Sequence, residues 1–473
     1  MSYYAIVSTL KNVRKHPNAD RLQLAEACGN TVCVSLDYVE GQLGIYFPTD
    51  GQLSVEFAEA NNLLRKKDEN GNNIGGYMDP DKRNVTAIKL RGEQSDGLFL
   101  PLHCLESFGD ITKLKVGEHI DLFNGHEICC KYIPRTNPRY TNIQSAGAGK
   151  RKNKKLDLKR PESAKNFNEH KHTDQLQYNL SAFKVNDEVE ISLKMHGTSQ
   201  RTGYLKIFKG YKRTLLDKIL RRPGTPIYDW GYISGTRRTV LDSYDGGFYG
   251  SNQFREQHHE AFVGKLWKGE TVYYEVVGFT HLGQPIMGSV NNAKLQDKEF
   301  IKQYGETTCF SYGCSPYANA TVLDTKDGNF AEYVPVGPQS DIYVYRMTMT
   351  NEDGDVVEYT PDFMRYRCEQ MGIKTVPAFT KFILHDYDLE MDTRTPGEIV
   401  NDAAEKYYDG PDPVGKTHVR EGVVVRIINR PSFSAYKLKN FSFKVLEGIV
   451  KLEADAPDME EAEDMLNEEQ SDE

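Results

Sequence analysis

Short apolar runs set the rhythm of the first part of the chain. Thr31–Leu36, Leu43–Phe47, Val85–Leu90, Gly97–Leu102 and Glu118–Leu122 alternate with Gly, Asn and Asp turn residues. Strands of this length without a helical repeat predict a small OB-like β-barrel over residues 1–124. Periodicity fades across residues 125–174, where cations gather at Lys150–Lys155 and again at Lys159 and Arg160. That stretch reads as a basic linker, facing nucleic acid or simply solvated. From residue 175 to 451 the pattern is mixed and predicts an α+β domain. Strands are expected at Val189–Leu193, Thr271–Val277, Asp341–Met349, Gly422–Ile428 and Ala435–Val445, and helices at Asp362–Met371 and Pro396–Tyr408. The second helix opens on Thr395-Pro396-Gly397-Glu398, a capping box with proline at the first helical position.

Composition narrows the class. The chain has 473 residues, 38% hydrophobic and 27% charged, which fits two or three globular domains. It shows no apolar run of membrane-spanning length and no secretory leader, so a cytoplasmic protein without membrane association is expected. The eight cysteines form no CxxC pair and are read as reduced thiols. The net charge of −9 is concentrated in Glu453–Glu473, where eleven acids stand without a cation. The rest of the chain carries +2, so local basic segments can still attract a polyanion. Residues 452–473 are expected to be an acidic disordered tail.

Chemistry enters at Lys194-Met195-His196-Gly197-Thr198-Ser199, which follows a strand. A lysine at a strand end, then a glycine and two hydroxyls, lets backbone and amine approach a phosphate together. Taken alone, this reads first as an ordinary strand-to-turn lysine. Downstream, Tyr274-Glu275-Val276-Val277-Gly278 and Arg420-Glu421-Gly422-Val423-Val424 each put an acid beside an apolar strand, where a half-buried carboxylate needs a partner. Lys437-Leu438-Lys439 sets two lysines on one face of a strand, an arrangement that an intervening anion relieves.

These stretches, in this order, resemble the motifs of the covalent lysyl-nucleotide superfamily of DNA ligases, RNA ligases and capping enzymes. Lys194–Gly197 resembles its first motif, Glu275 its third, Glu421–Val424 its fourth and Lys437–Lys439 its fifth. His196 in the first motif, and the short stretch after Lys439, resemble the ATP-dependent RNA ligases most. His16-Pro17-Asn18-Ala19-Asp20-Arg21-Leu22 and Lys89–Leu98 resemble the OB module that precedes the catalytic domain in a nick-sealing branch.

The resemblance implies an adenylyltransferase (ATP-grasp-like) ligase domain of antiparallel sheets and helices, and a monomer that joins RNA 3′-OH and 5′-phosphate ends at nicked duplexes or breaks. It implies ATP and Mg2+ (or Mn2+) as cofactors. Lys194 would carry AMP, with Lys437 and Lys439 at the phosphates and Glu421 holding the metal through water. His196, Gly197, Glu275 and Arg237 or Arg238 would contact the nucleotide, and Tyr345 and Val424 would enclose adenine, although core packing also accounts for Tyr345. A lysine amine titrates near about 10.4 in water. Neutrality near pH ~7.5 therefore costs about 4 kcal/mol unless nearby cations and a metal lower that value. Two alternatives stand beside this reading: an RNA- or tRNA-binding protein with a non-catalytic domain, and a DNA ligase or capping-type enzyme. The insertions 204–232 and 281–339 are read as RNA-contacting elements or as neutral loops.

Overall fold

A computed structural model describes residues 3–67, 73–132, 163–220, 222, 224–241, 243–245, 249, 251–316, 321–323, 333–335, 338–385 and 394–452. The basic run at 150–160 and the acidic tail lie outside them. The chain divides into two compact units, one of residues 1–135, 293–297 and 439–453, the other of most of the remainder.

The first unit is built on an antiparallel sheet in the order Leu98–Pro101, Leu43–Phe47, Ala5–Thr9, His119–Ile120. Separate three-stranded sheets join Lys11–Lys15 to Gln23–Ala27 and Asn30–Val34, and Cys129–Lys131 to Gly51–Leu53 and Asn84–Val85. Among the described residues these sheets remain separate, so the expected barrel is not a closed one. Val7, Ile45, Phe47, Leu53, Phe57 and Leu105 fill its core. The two motif stretches expected in this unit meet. The buried His16 ring donates from Nε2 to the Leu90 carbonyl at 3.1 Å, and its Nδ1 accepts from the Asn18 amide at 3.1 Å. Asn18 Nδ2 adds a 3.0 Å bond to the Arg91 carbonyl.

The expected strand Ala435–Val445 splits. Ser434–Lys439 is a strand, while Phe441–Leu452 is a helix whose side chains Phe443 and Leu446 are buried. A run of hydrophobics that serves a strand by alternation serves a helix equally well when its apolar positions also recur at three and four. This helix belongs to the first unit, where Lys444 Nζ meets Asp96 Oδ2 at 2.5 Å with both side chains buried.

Two five-stranded sheets carry the second unit. The first has the order Asp174–Gln175, Ser434–Lys439, Gly422–Ile427, Glu188–Lys194, Ala378–Ile383. Its outermost pair, Asp174–Gln175 with Ser434–Lys439, is parallel. Val189, Ile191, Val423, Val425, Ile427 and Leu438 point from it into a core shared with Val400 and Ala404 of helix Pro396–Glu405. That helix starts at the expected capping box, with Thr395 and Glu398 bonded reciprocally. The second sheet has the order Thr225–Gly235, Thr198–Lys212, Glu270–Gly278, Ser340–Thr350, Val356–Glu358. One face is covered by helix Gln253–Glu260, through Gln200 to the Arg255 carbonyl and Thr202 to His259. The opposite faces of the two sheets approach each other, with Arg426 donating to the Tyr359 carbonyl at 2.8 Å. Arg346 of the second sheet and Arg426 of the first both lie over the Phe433 ring, each 4.9 Å from its centroid.

Candidate active site

Alternation along Glu188–Lys194 sends Val189 and Ile191 to the core and Glu190, Ser192 and Lys194 to the other face, where Glu190 is buried against Arg365 at 2.7 Å. Lys194 is the last residue of this strand and pairs in register with Gly422. The chain then crosses from one sheet to the other through Met195, His196 and Gly197. A Cβ on Gly197 would lie 2.5 Å from the Val276 carbonyl oxygen, so only glycine fits this crossing.

At the crossing, Lys194 Nζ stands 2.7 Å from Glu421 Oε1, with the carboxylate nearly sealed from solvent at 2% exposure. His196 Nδ1 is 3.9 Å from the other oxygen of Glu421. Ser199 Oγ donates to Glu275 at 3.1 Å, and register places Ser199, Glu275 and Tyr343 side by side across three strands. Glu421 and Glu275 thus both flank the Lys194–Ser199 segment. Val424, half-buried, pairs in register with Ser192.

Arg237 and Arg238 occupy a turn after strand Thr225–Gly235, closed by the Thr236 amide on the Thr239 carbonyl at 2.8 Å. Buried Arg201 supports this turn from below, donating to the Arg237 carbonyl at 2.6 Å and the Arg238 carbonyl at 3.2 Å. Arg255, fully buried, braces the other end of the segment through Ser199 O and Thr198 Oγ1. Neither arginine stands out in the sequence, because a cation on a strand reads as surface until its burial is known.

Tyr345 sits at an irregularity in the pairing of Ser340–Thr350 with Glu270–Gly278. Its hydroxyl is hydrogen-bonded to His170, whose ring also meets Tyr273 edge-on at 5.0 Å. Tyr343 is therefore the aromatic residue in the row of Glu275. Burial, reinforced by Arg201, Arg237 and Arg346, holds the His170 ring well below the usual histidine range. Lys437 lies on strand Ser434–Lys439, next to the strand that begins at Gly422. Lys439, at the end of that strand, pairs with Glu447 at 2.7 Å.

A shell behind His196 was not legible in the sequence. Its backbone amide donates to the Tyr312 hydroxyl at 2.6 Å, and its ring rests edge-on against Phe310 at 4.7 Å. His418 touches both aromatics, at 5.2 and 4.5 Å. Phe310 and Tyr312 come from the insertion 281–339, and His418 from the loop before Glu421. The two loops interlock so closely that a Cβ on Gly415 would lie 2.5 Å from the Gly313 amide nitrogen. Burial pushes the Asp412 carboxyl in this shell up to about 7 and the His418 ring down to about 4. The Phe310-Ser311-Tyr312-Gly313 run was the available signal, an aromatic pair around a turn inside the insertion.

Among the described residues no group of three or more His, Cys, Asp or Glu forms a metal cage. Mg2+ bound to a nucleotide keeps several waters and needs only one or two protein carboxylates, so the single buried carboxylate of Glu421, beside Lys194 and His196, would fit such an ion. No helix among the described residues is long and apolar enough to cross a membrane.

No protein-family model matches the chain. No curated protein matches it either. Solved structures do. A variant of Naegleria gruberi RNA ligase without ligand aligns at TM-score 0.50 and 15% identity, covering 94% of this chain and 97% of that one. A lysine-to-alanine variant of the same ligase with ATP and Mn aligns at TM-score 0.50 and 14% identity, over 93% and 98%. A lysine-to-methionine variant with AMP and Mn gives TM-score 0.50 and 13% identity, over 94% and 99%. At this identity the likeness establishes a shared α+β fold over nearly the whole of both chains.

Proposed function

We propose that the chain is an ATP-dependent RNA ligase. The observation that carries this reading is the position of Lys194, at a strand end with its amine 2.7 Å from buried Glu421. The fold shared with a ligase solved with ATP, AMP and Mn supports it. In the first step the Lys194 amine attacks the α-phosphorus of ATP. A nitrogen–phosphorus bond forms, the bond to pyrophosphate breaks, and lysyl-AMP results. AMP then passes to an RNA 5′-phosphate, and a 3′-hydroxyl displaces it to join the strands.

In this reading Glu421 holds the divalent ion, which neutralises the triphosphate. Glu275 binds ribose, Arg237 or Arg238 meets phosphate, and Lys437 reaches the α-phosphate. Val424 forms one wall of the adenine site, with Tyr345 or its neighbour Tyr343 as the other. Nicked duplexes or broken RNA ends are the substrates.

The test is ATP labelled on the α-phosphate, incubated with magnesium and followed by denaturing electrophoresis. The wild type is expected to retain label that Lys194→Ala does not. An unlabelled wild type, shown by mass not to be already adenylylated, rejects the reading. GTP in parallel separates a ligase from a capping-type enzyme.

A further inference from the structure

The strands Thr198–Lys212 and Thr225–Gly235 run well past strand Glu270–Gly278 as a hairpin, with residues 163–165 bonded to its edge at Lys206 and Phe208. The neighbouring strand Glu270–Gly278 pairs only with residues 198–203. Beyond that point, register sets Tyr204 opposite Tyr232, Lys206 opposite Trp230, and Phe208 opposite Tyr228. Successive rungs on one face of a strand are ~7 Å apart. This face continues the one that helix Gln253–Glu260 covers at Gln200 and Thr202, but here the side chains are half-exposed.

Tyr204 and Tyr232 stack at 4.4 Å with 8° between their planes. The Tyr232 hydroxyl accepts the Gly264 amide at 2.8 Å, which fixes the pair in place. Lys206 and Lys268 lie 5.1 and 5.4 Å from the Trp230 ring centre, and Lys165 lies 5.1 Å from that of Tyr228. The acidic groups nearby are Glu352, 3.6 Å from Lys206, and exposed Asp229.

We propose that this face of the hairpin is a binding strip for single-stranded RNA, in which Trp230 and the tyrosines stack bases and Lys165, Lys206 and Lys268 meet phosphates. Rings at alternate strand positions, flanked by cations, are the pairing that recognises unpaired nucleic acid: every base has a face to stack and every nucleotide a charge to neutralise. The proposal rests on the chain handling RNA and gives the insertion 204–232 a role in holding the strand that leads to the break.

Trp230 and Trp267 are the two tryptophans of the chain. In Trp267→Phe, emission therefore comes from Trp230 alone. Titration with a labelled single-stranded RNA is expected to quench it, and Trp230→Ala is expected to weaken binding of that RNA by about ten-fold, within the range for one stacked base. Lys206→Ala with Lys268→Ala is expected to reduce the slope of log affinity against log salt by about 1.4, two phosphate contacts at ~0.7 each.

Unchanged affinity and salt slope in these variants, without quenching, overturn the proposal. The tip carries exposed Leu215, Leu216 and Ile219, so a second copy is the competing occupant. Self-association that Trp230→Ala abolishes, with RNA affinity unchanged, assigns the strip to that copy and also overturns the proposal. Lysyl-AMP formation is read separately. Its absence from the wild type rejects the ligase reading and leaves the RNA result to stand by itself.

Discussion

The Lys194 amine and the Glu421 carboxylate stand 2.7 Å apart although they come from opposite ends of the second unit, one closing its strand and the other preceding the strand beside it. A buried carboxylate paired with the amine both orients it and competes for it. Glu421→Gln keeps the shape and removes the charge. We expect lysyl-AMP formation to fall at least about ten-fold, the loss of roughly 1.4 kcal/mol of transition-state stabilisation. If Glu421 also holds the metal, the magnesium concentration for half-maximal adenylylation rises. A metal titration of the variant against wild type checks this, and an unchanged midpoint removes the metal role.

Tyr312 presents its hydroxyl to the His196 amide from within the insertion. Tyr312→Phe leaves that amide without its acceptor, at a cost of about 1–3 kcal/mol for a buried donor. Adenylylation is expected to slow by about ten-fold while circular dichroism stays that of the wild type. Full activity in Tyr312→Phe would reduce the insertion to packing.

Asp412 gives a pH signature. Its carboxyl is raised by burial to about 7 from 3.8, so between those values the folded protein holds a proton that the unfolded chain has lost. Stability from this group is therefore present below about pH 4 and is lost as pH rises to about 7, at roughly 1.4 kcal/mol per unit. His418, lowered to about 4, contributes in the opposite sense, its share growing as pH rises from about 4 to 6.5. The two partly cancel in the wild type. Asp412→Asn removes the first alone, so its melting temperature relative to wild type should climb across pH 4–7 and level off above. A flat difference across that range would contradict the raised carboxyl.

Lys444 and Asp96 join the C-terminal helix to the strands of the first unit, both nearly sealed. Lys444→Met strands a buried carboxylate and is expected to cost about 3–5 kcal/mol. Adding Asp96→Asn should restore much of that loss. Chemical denaturation of the single and double variants measures the coupling, and simple additivity would show that the pair contributes nothing of its own.

The sequence determined several strands and helices of the second unit, but not its two longest strands, Thr198–Lys212 and Thr225–Gly235, nor helix Gln253–Glu260. Alternation in Glu188–Lys194, the apolar run of Glu270–Gly278 buried on both faces, and the caps around Pro361 and Pro396 are local physics that tertiary context left in place. The sequence also made Lys194, His196, Glu275 and Glu421 stand out, because a charge inside an apolar run is conspicuous. Tertiary structure alone decided which of these meet. Lys194 and Glu421 face each other because two sheet strands pair, while Lys439 turns to Glu447 because the chain after it becomes a helix. The bonds of Arg201 to the Arg237 turn, and of Tyr312 to His196, were equally out of reach. Each depends on long-range packing that buries a polar group, and nothing in the local pattern records which partners it will meet.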